Sequence, residues 1–355
     1  MDTIDSCSVY QSTDTIERIR ILTKNRLKIV RGLGLCSGGL DSMLSGLVLK
    51  DQGIDVTWVS FETPFFSAAK ARRASQNTGI PLIVCSIFPT YLEMLKNPAA
   101  GYGKYMNPCM DCHALMFKLA GAMMKDEGFD FLFSGEVLGQ RPMSQTFPSL
   151  RYVAKQSGMD GYIVRPLSAK RLPESIPEKQ GLVDRDRLLD LSGRSRKAQI
   201  SLAAHYGIAT YPAPAGGCLL TDKGYSNRLR DLFSHQTTYT EPELHLLKYG
   251  RHLRLNPHTK MIVGRTRDEN QYINKFMDPT RDTVLKTMGY PGPTAIIPGG
   301  DATETAFEQA AAICAGYSKA PDRSRVDVLI TASGGQRFFR VMPIPPGDVK
   351  DLLIL

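Results

Sequence analysis

Apolar positions in the first half of the chain fall into short continuous runs separated by stretches of helical spacing. A run that begins at Leu27 and ends near Leu35–Cys36 reads as a buried strand, followed by a glycine-rich turn and a helix over Ser42–Lys50. Asp55–Phe61 and Pro81–Ile87 read as further strands, with a helix over Ser67–Thr78 between them. Asp111–Glu127 carries Leu115, Met116, Leu119 and Met123 on one helical face, and strands are expected at Phe129–Phe133 and Tyr162–Leu167. Strands separated by helices require right-handed crossovers, which cover both faces of a mainly parallel sheet. This half is therefore expected to be an α/β, Rossmann-like fold.

The pattern weakens beyond Leu167 into a basic stretch over Ser168–Lys197 and a helix over Ala198–Tyr206, and Tyr211–Gly217 is a loop by composition. Past Glu241 the spacing predicts strands at Met261–Gly264, Thr294–Ile297 and Val326–Thr331 and one apolar helix at Ala306–Ala315, a smaller α+β domain. The expected organisation is an extension over residues 1–27, a catalytic domain over 28–200, a linker over 201–240 and the C-terminal domain over 241–355.

Length and charge narrow the class. The 355 residues suggest two or three domains, and the 42% hydrophobic content supplies a core. No apolar stretch approaches the roughly 18 residues of a membrane span, and the first thirty residues lack a signal-peptide pattern. Seven cysteines without a regular framework fit a reducing cytoplasm better than a disulfide scaffold. The net charge of +9 is compatible with a phosphate-rich ligand.

The turn after the first strand, Cys36-Ser-Gly-Gly-Leu-Asp-Ser42, lies where open α/β sheets bind ligands. Gly38 and Gly39 let the backbone approach an anion, Ser37 and Ser42 offer hydroxyls, and Asp41 can hold Mg²⁺ or cap the helix. A Walker A ending and a dinucleotide fingerprint are both missing. The string resembles the PP-loop of the ATP pyrophosphatases, or adenine nucleotide alpha hydrolase fold, which implies ATP binding and adenylation of a carbonyl oxygen. A second segment, Ser134-Gly-Glu-Val-Leu-Gly-Gln-Arg-Pro-Met-Ser-Gln145, is similar to that of the tRNA 4-thiouridine synthase catalytic domain, and the likeness spans roughly residues 28–220. It adds Gly135, Glu136, Gln140 and Arg141 to Cys36–Ser42 as expected ATP-site residues. Glu136 would position Mg²⁺ or a ribose hydroxyl, or brace the loop; Arg141 would face the phosphates.

Cys109 and Cys112 lie three apart at a helix start, a position that favours thiolates. A redox dithiol, half of a zinc site and part of an iron–sulfur cluster all fit that spacing. Cys218, after Gly216 and Gly217, is a third cysteine in a suggestive setting. Cluster-dependent tRNA thiolases carry a Cys-x-x-Cys plus a further cysteine, so the resemblance implies a [4Fe–4S] cluster on Cys109, Cys112 and Cys218. The alternative is a persulfide on Cys109 or Cys112 resolved by Cys218. Cys36, Cys85 and Cys314 read as small core residues, and His113 as a local hydrogen-bonding group.

Arg165, Lys170, Arg171, Arg194, Arg196 and Lys197 concentrate positive charge and are expected to dock RNA. Tyr290–Ala295 and Ala310–Ser318 resemble the NFACT-R-type RNA-associated domain, which would replace the THUMP module of the usual 4-thiouridine synthase. The chain is thus read as a cytoplasmic tRNA sulfurtransferase that uses ATP, Mg²⁺ and a catalytic set of Asp41, Cys109, Cys112 and Cys218. Its partners would be tRNA and a sulfur donor, either sulfide or a cysteine desulfurase. A 2-thiouridine synthase acting at the wobble position, and a PP-loop synthetase amidating a small metabolite, are the alternatives.

Overall fold

The computed structural model describes residues 6–10, 29–213, 218–300, 302–321 and 323–355. Most of the expected N-terminal extension, and the Gly216–Gly217 prelude to Cys218, lie outside them. The chain divides into two compact units, Met1–Cys218 and Leu219–Leu355.

In the first unit the strands are β1 (Ser6–Tyr10), β2 (Arg31–Leu35), β3 (Asp55–Glu62), β4 (Leu82–Ser86), β5 (Phe131–Ser134) and β6 (Ile163–Val164). Among the described residues they form one sheet in the order β1-β4-β3-β2-β5-β6. All neighbours are parallel except β1, which runs antiparallel to β4. The helices are α1 (Leu40–Lys50), α2 (Ala69–Thr78), α3 (Phe88–Lys96), α4 (Cys109–Glu127), α5 (Phe147–Gln156), α6 (Ile176–Lys179) and α7 (Lys197–His205). The α/β expectation holds, and Trp58, Leu33, Phe131 and Phe133 are fully buried in the sheet's core. Gly32 and Gly34 on β2 leave room for the rings of Phe131 and Phe133 on β5, which would otherwise overlap a β-carbon.

Several expectations needed correction. The helices α3 and α5 escaped the periodicity; both open with a Phe-Pro pair, and proline at the first turn starts a helix without costing a bonded N–H. β6 is only two residues long, because Pro166 follows and the Ser168 N–H turns back to the Arg165 carbonyl at 2.9 Å. Cys85 is not a lone core thiol: β1 lies register-matched on β4, and Cys7 is joined to Cys85 by a disulfide. The 201–240 stretch is not an open linker. Its start completes α7, whose Ala203 is buried in the first unit's core, and it includes a helix of the second unit, α8 (Lys223–His235).

The second unit continues with α9 (Glu241–Leu246), β7 (Arg251–Asn256), β8 (Thr259–Val263), α10 (Arg267–Phe276), β9 (Thr283–Thr287), β10 (Ala295–Ile297), α11 (Glu304–Gly316), β11 (Val326–Ala332) and β12 (Gly335–Val341). Its sheet has the order β12-β11-β9-β10-β8-β7 with antiparallel neighbours throughout. Strand alternation separates two cores. Met261, Val263, Ala295 and Ile297 pack with Ala310, Ala311 and Cys314 of α11, whereas Ile262 and Ile296 meet Leu246 of α9 and Ile273 of α10. No helix among the described residues is long and apolar enough to cross a membrane.

Candidate nucleotide site and thiol centre

The first sheet's strand order reverses at β2, which pairs with β3 on one side and β5 on the other. Loops leaving β2 and β5 meet there beyond the carboxyl ends of the strands, where doubly wound folds bind ligands in a crevice. The residues from Cys36 to Ser42 follow β2; those from Gly135 to Gln145 follow β5.

Gly38 has φ +71°, and a β-carbon there would overlap the Lys70 backbone. Gly135 approaches as closely to the Asp41 peptide, so the two loops interleave with no side chain between them. Gly39 caps α1 without a side-chain acceptor, and its own N–H donates only to the Ser37 hydroxyl, at 3.3 Å. That helix end points its N–H groups at the crevice. Ser42 is buried and donates its hydroxyl to the Gly39 carbonyl at 2.8 Å, so it holds the loop's shape. Cys36 is also buried, and burial pushes its thiol up to about 11, which makes it a neutral core residue beside the loop.

The carboxylates of the two loops differ. Gln140 donates its side-chain amide to Asp41 Oδ2 at 2.9 Å, while Asp41 Oδ1 is buried and makes no well-formed hydrogen bond. Burial raises the Asp41 pKa against the opposing pull of Gln140, Arg196, Arg141 and Gln199. The other side-chain atoms of this cluster are equally short of partners: Gln140 Oε1 and Arg196 Nε are buried and unbonded, and the buried Gln199 amide, within reach of Asp41, makes no well-formed hydrogen bond. Unsatisfied buried polar atoms are costly, and several around one point mark a place that a polar ligand completes. The bare Asp41 oxygen is also a hard anionic donor of the kind that suits Mg²⁺.

Glu136 has no such vacancy. Its Oε2 accepts from Arg165 Nε at 2.9 Å and from the Ser134 hydroxyl at 3.0 Å, and its Oε1 lies 3.0 Å from His113 Nδ1. Burial alone would raise its pKa, but Arg165 and His113 outweigh it and hold the carboxyl down at about 2. The bracing reading of Glu136 thus fits its surroundings, and the expectation that it holds Mg²⁺ or a ribose does not. The expected local bond of His113 is instead a tie from α4 to the β5 loop.

The basic stretch divides in the same way. Arg165 was expected to dock RNA, but it is buried on Glu136 and also reaches the Leu150 carbonyl. Arg196 was expected to do the same, yet it is half-buried beside Asp41. The cause is a backbone link: the Gly193 N–H donates to the Leu138 carbonyl at 2.7 Å and folds the start of α7 onto the β5 loop. Lys170, Arg171, Arg194 and Lys197 are exposed. Lys170 and Arg171 donate to the Asp186 and Asp190 carbonyls at 2.8 and 3.0 Å. Arg141 is exposed at the crevice.

The cysteines converge on Tyr91 of α3. Its side chain is fully buried, and its hydroxyl, which forms no well-made hydrogen bond, lies in the electrostatic reach of Cys112, Cys218 and Cys109. Asn107 donates its side-chain amide to Cys109 Sγ at 2.9 Å. Asp111 fixes the start of α4 by accepting from the Ala100 N–H at 2.8 Å and the Tyr152 hydroxyl at 2.9 Å. The helix start was expected to favour thiolates, but burial, followed by Cys218, pushes the Cys112 thiol far above its ordinary value. Desolvation outweighs the helix dipole here. The expected [4Fe–4S] ligand set is corrected as well: among the described residues no group of three His, Cys, Asp or Glu side chains is placed to hold a metal ion. Cys112 is turned inward against Tyr91, so the thiols as arranged do not fit a cluster.

The two centres share one structural line. Cys112 precedes His113, His113 meets Glu136, and Gly135 beside it packs on the Asp41 peptide. Sequence reasoning missed Tyr91, Asn107 and Gln199. Gln199 stands three residues after Arg196 in the first turn of α7, a spacing that would have paired them; Tyr91 left no signal beyond its helix.

Residues 29–172 match the family model described as Thiamine biosynthesis protein (ThiI), and residues 250–352 match the one described as NFACT protein RNA binding domain. No curated protein matches the chain. Among solved structures it is similar to a predicted subunit of tRNA methyltransferase from Methanocaldococcus jannaschii, with 14% identity, 50% of this chain and 76% of that chain covered, and a TM-score of 0.33. It is also similar to the C-terminal part of a fibronectin/fibrinogen-binding protein from Streptococcus suis, with 15% identity, coverage of 69% and 94%, and a TM-score of 0.27. A third similar structure is NMN synthetase from Francisella tularensis, with 12% identity, coverage of 53% and 90%, and a TM-score of 0.26. With its PP-loop-like turn at the switch point of a parallel sheet, the first unit carries a ThiI-type domain match over residues 29–172, and the second an NFACT RNA-binding domain match over residues 250–352.

Proposed function

We propose that this protein is an ATP-dependent tRNA sulfurtransferase that forms 4-thiouridine. The observation that carries the reading is the buried Oδ1 of Asp41, which makes no well-formed hydrogen bond where the PP-loop meets the β5 loop. ATP would lie along Ser37–Ser42 with its phosphates toward the N-terminus of α1. Asp41 would hold Mg²⁺, which when bound neutralises phosphate charge. Arg141 and Arg196 are the cations nearest that carboxylate and would balance the departing pyrophosphate.

The uridine carbonyl oxygen attacks the α-phosphorus, forming a new O–P bond as the bond to pyrophosphate breaks. Sulfur then forms a bond to the activated carbon, and the adenylate oxygen leaves with AMP. The sulfur arrives as a persulfide on Cys109, whose Sγ is oriented by Asn107, charged by a desulfurase or by sulfide with an oxidant. Once the terminal sulfur is bonded to carbon, Cys218 attacks the inner sulfur. That step releases thiouridine and leaves a Cys109–Cys218 disulfide, which a dithiol reductant reopens. The exposed Arg194 and Lys197, together with the second unit, would grip the tRNA.

The test is mass spectrometry of tRNA from a deletion strain complemented with the wild type or with Cys109→Ser. The expected result is 4-thiouridine restored by the wild type alone, with 2-thiouridine constant and ATP–pyrophosphate exchange by the purified variant preserved. Loss of 2-thiouridine with 4-thiouridine intact rejects the assignment, and ammonia-dependent AMP formation by the Cys109→Ser protein points to an amidating synthetase.

A further inference from the structure

The second unit contains a cavity of about 200 Å³ between α8, α9 and the β7–β8 hairpin. Ile262, Leu247 and Pro298 supply apolar walls, while Gln236, Arg254 and Lys260 bring polar atoms to it. Its chemistry is unbalanced. Asp231 accepts a two-point bond from Arg254, with Nε at 3.0 Å and Nη2 at 2.6 Å. The Lys260 ammonium stands 3.1 Å from the same carboxylate but makes no well-formed hydrogen bond. Asp231 therefore faces two cations, the other carboxylate of the lining, Glu243, is committed to the Thr240 helix cap at 2.7 and 2.9 Å, and Lys260 is only 7% exposed. Burial lowers the Lys260 pKa to about 8, with Asp231 opposing and Arg254 and Arg228 adding to the fall. Gln236 Oε1 is buried without a partner in the same wall.

A buried ammonium with hydrogen-bonding capacity left, an unused amide acceptor and apolar walls together suit one nucleotide. The phosphate answers the cations, the base edge answers Gln236, and the base faces answer Leu247 and Pro298. A duplex cannot enter such a space, but a looped-out residue can. We propose that this cavity receives a single unpaired nucleotide of the bound RNA. The proposal rests on the RNA-binding reading of the second unit.

The experiment compares the full chain's affinity, by fluorescence anisotropy at fixed salt, for two hairpin RNAs. One has a single looped-out nucleotide; the other has an abasic residue at that position. The expected result is about ten-fold tighter binding of the first hairpin by the wild type, the scale of one buried hydrogen bond to the base edge. The ratio should fall to near one in Gln236→Ala and in Lys260→Met, with affinity for the abasic hairpin little changed in Gln236→Ala. Gln236 is partly exposed, so its variant keeps the test valid if Lys260→Met does not fold. Equal binding of both hairpins by the wild type overturns the cavity assignment and leaves RNA binding standing; failure to bind either hairpin overturns both.

Discussion

Two loops at one sheet edge each carry a carboxylate, and they use it in opposite ways. Glu136 is surrounded by Arg165, Ser134 and His113, with both oxygens bonded. Asp41 is held at one oxygen by Gln140 and makes no well-formed hydrogen bond at the other. A buried carboxylate whose partners are all internal belongs to the scaffold, because changing it strands a buried cation. One that remains half-satisfied after folding has capacity left for something that arrives later. The contrast also explains why similar basic residues part ways: Arg165 neutralises the scaffold, and Arg196 stands beside the vacancy.

The strongest way to break this comparison is Asp41→Ala. ATP–pyrophosphate exchange is expected to fall by about 100-fold or more, with far-ultraviolet circular dichroism and thermal midpoint close to wild type. Unchanged exchange would remove Asp41 from the nucleotide site.

Glu136→Gln should do the reverse and act on stability. Leaving Arg165 buried without its anion is expected to cost about 3 kcal/mol in urea unfolding. The pH dependence follows in sign. The folded Glu136 pKa lies below its ordinary 4.5, so its stabilisation is complete above that value and is lost as pH falls toward about 2. The variant should lose that part of the acid transition, and an unaltered acid limb would count against the paired state.

Arg196→Ala and Arg194→Ala sharpen the contrast within the basic stretch. Arg196→Ala is expected to lower exchange about ten-fold with tRNA affinity held, consistent with one charge-assisted contact. Arg194→Ala should weaken tRNA binding only a few-fold and reduce its salt dependence by about one charge, as filter binding across a salt series would show. Identical behaviour of the two variants would undo the separation.

Much of the first unit was legible because buried parallel strands are continuous apolar runs, and glycines needed for close approach cannot hide. The second unit was less so. Strands such as β12, Gly-Gln-Arg-Phe-Phe-Arg-Val, lie largely exposed and do not read as apolar runs, and α8 and α10 are short on apolar residues. At the site, Ser37–Ser42 stood out as a string. The roles of Arg165, Arg196 and Tyr91 did not, because each depends on a partner far away in the chain.

The order of residues by itself determined the α/β class, the loop at the end of β2, and where its glycines, hydroxyls, carboxylates and thiols fall along the chain, since these depend on neighbours within a few positions. Which carboxylate stayed bare, which arginine was buried, and how the thiols faced Tyr91 were decided only by tertiary structure. Burial and pairing set the state of a charged group, and both come from contacts that no local pattern encodes.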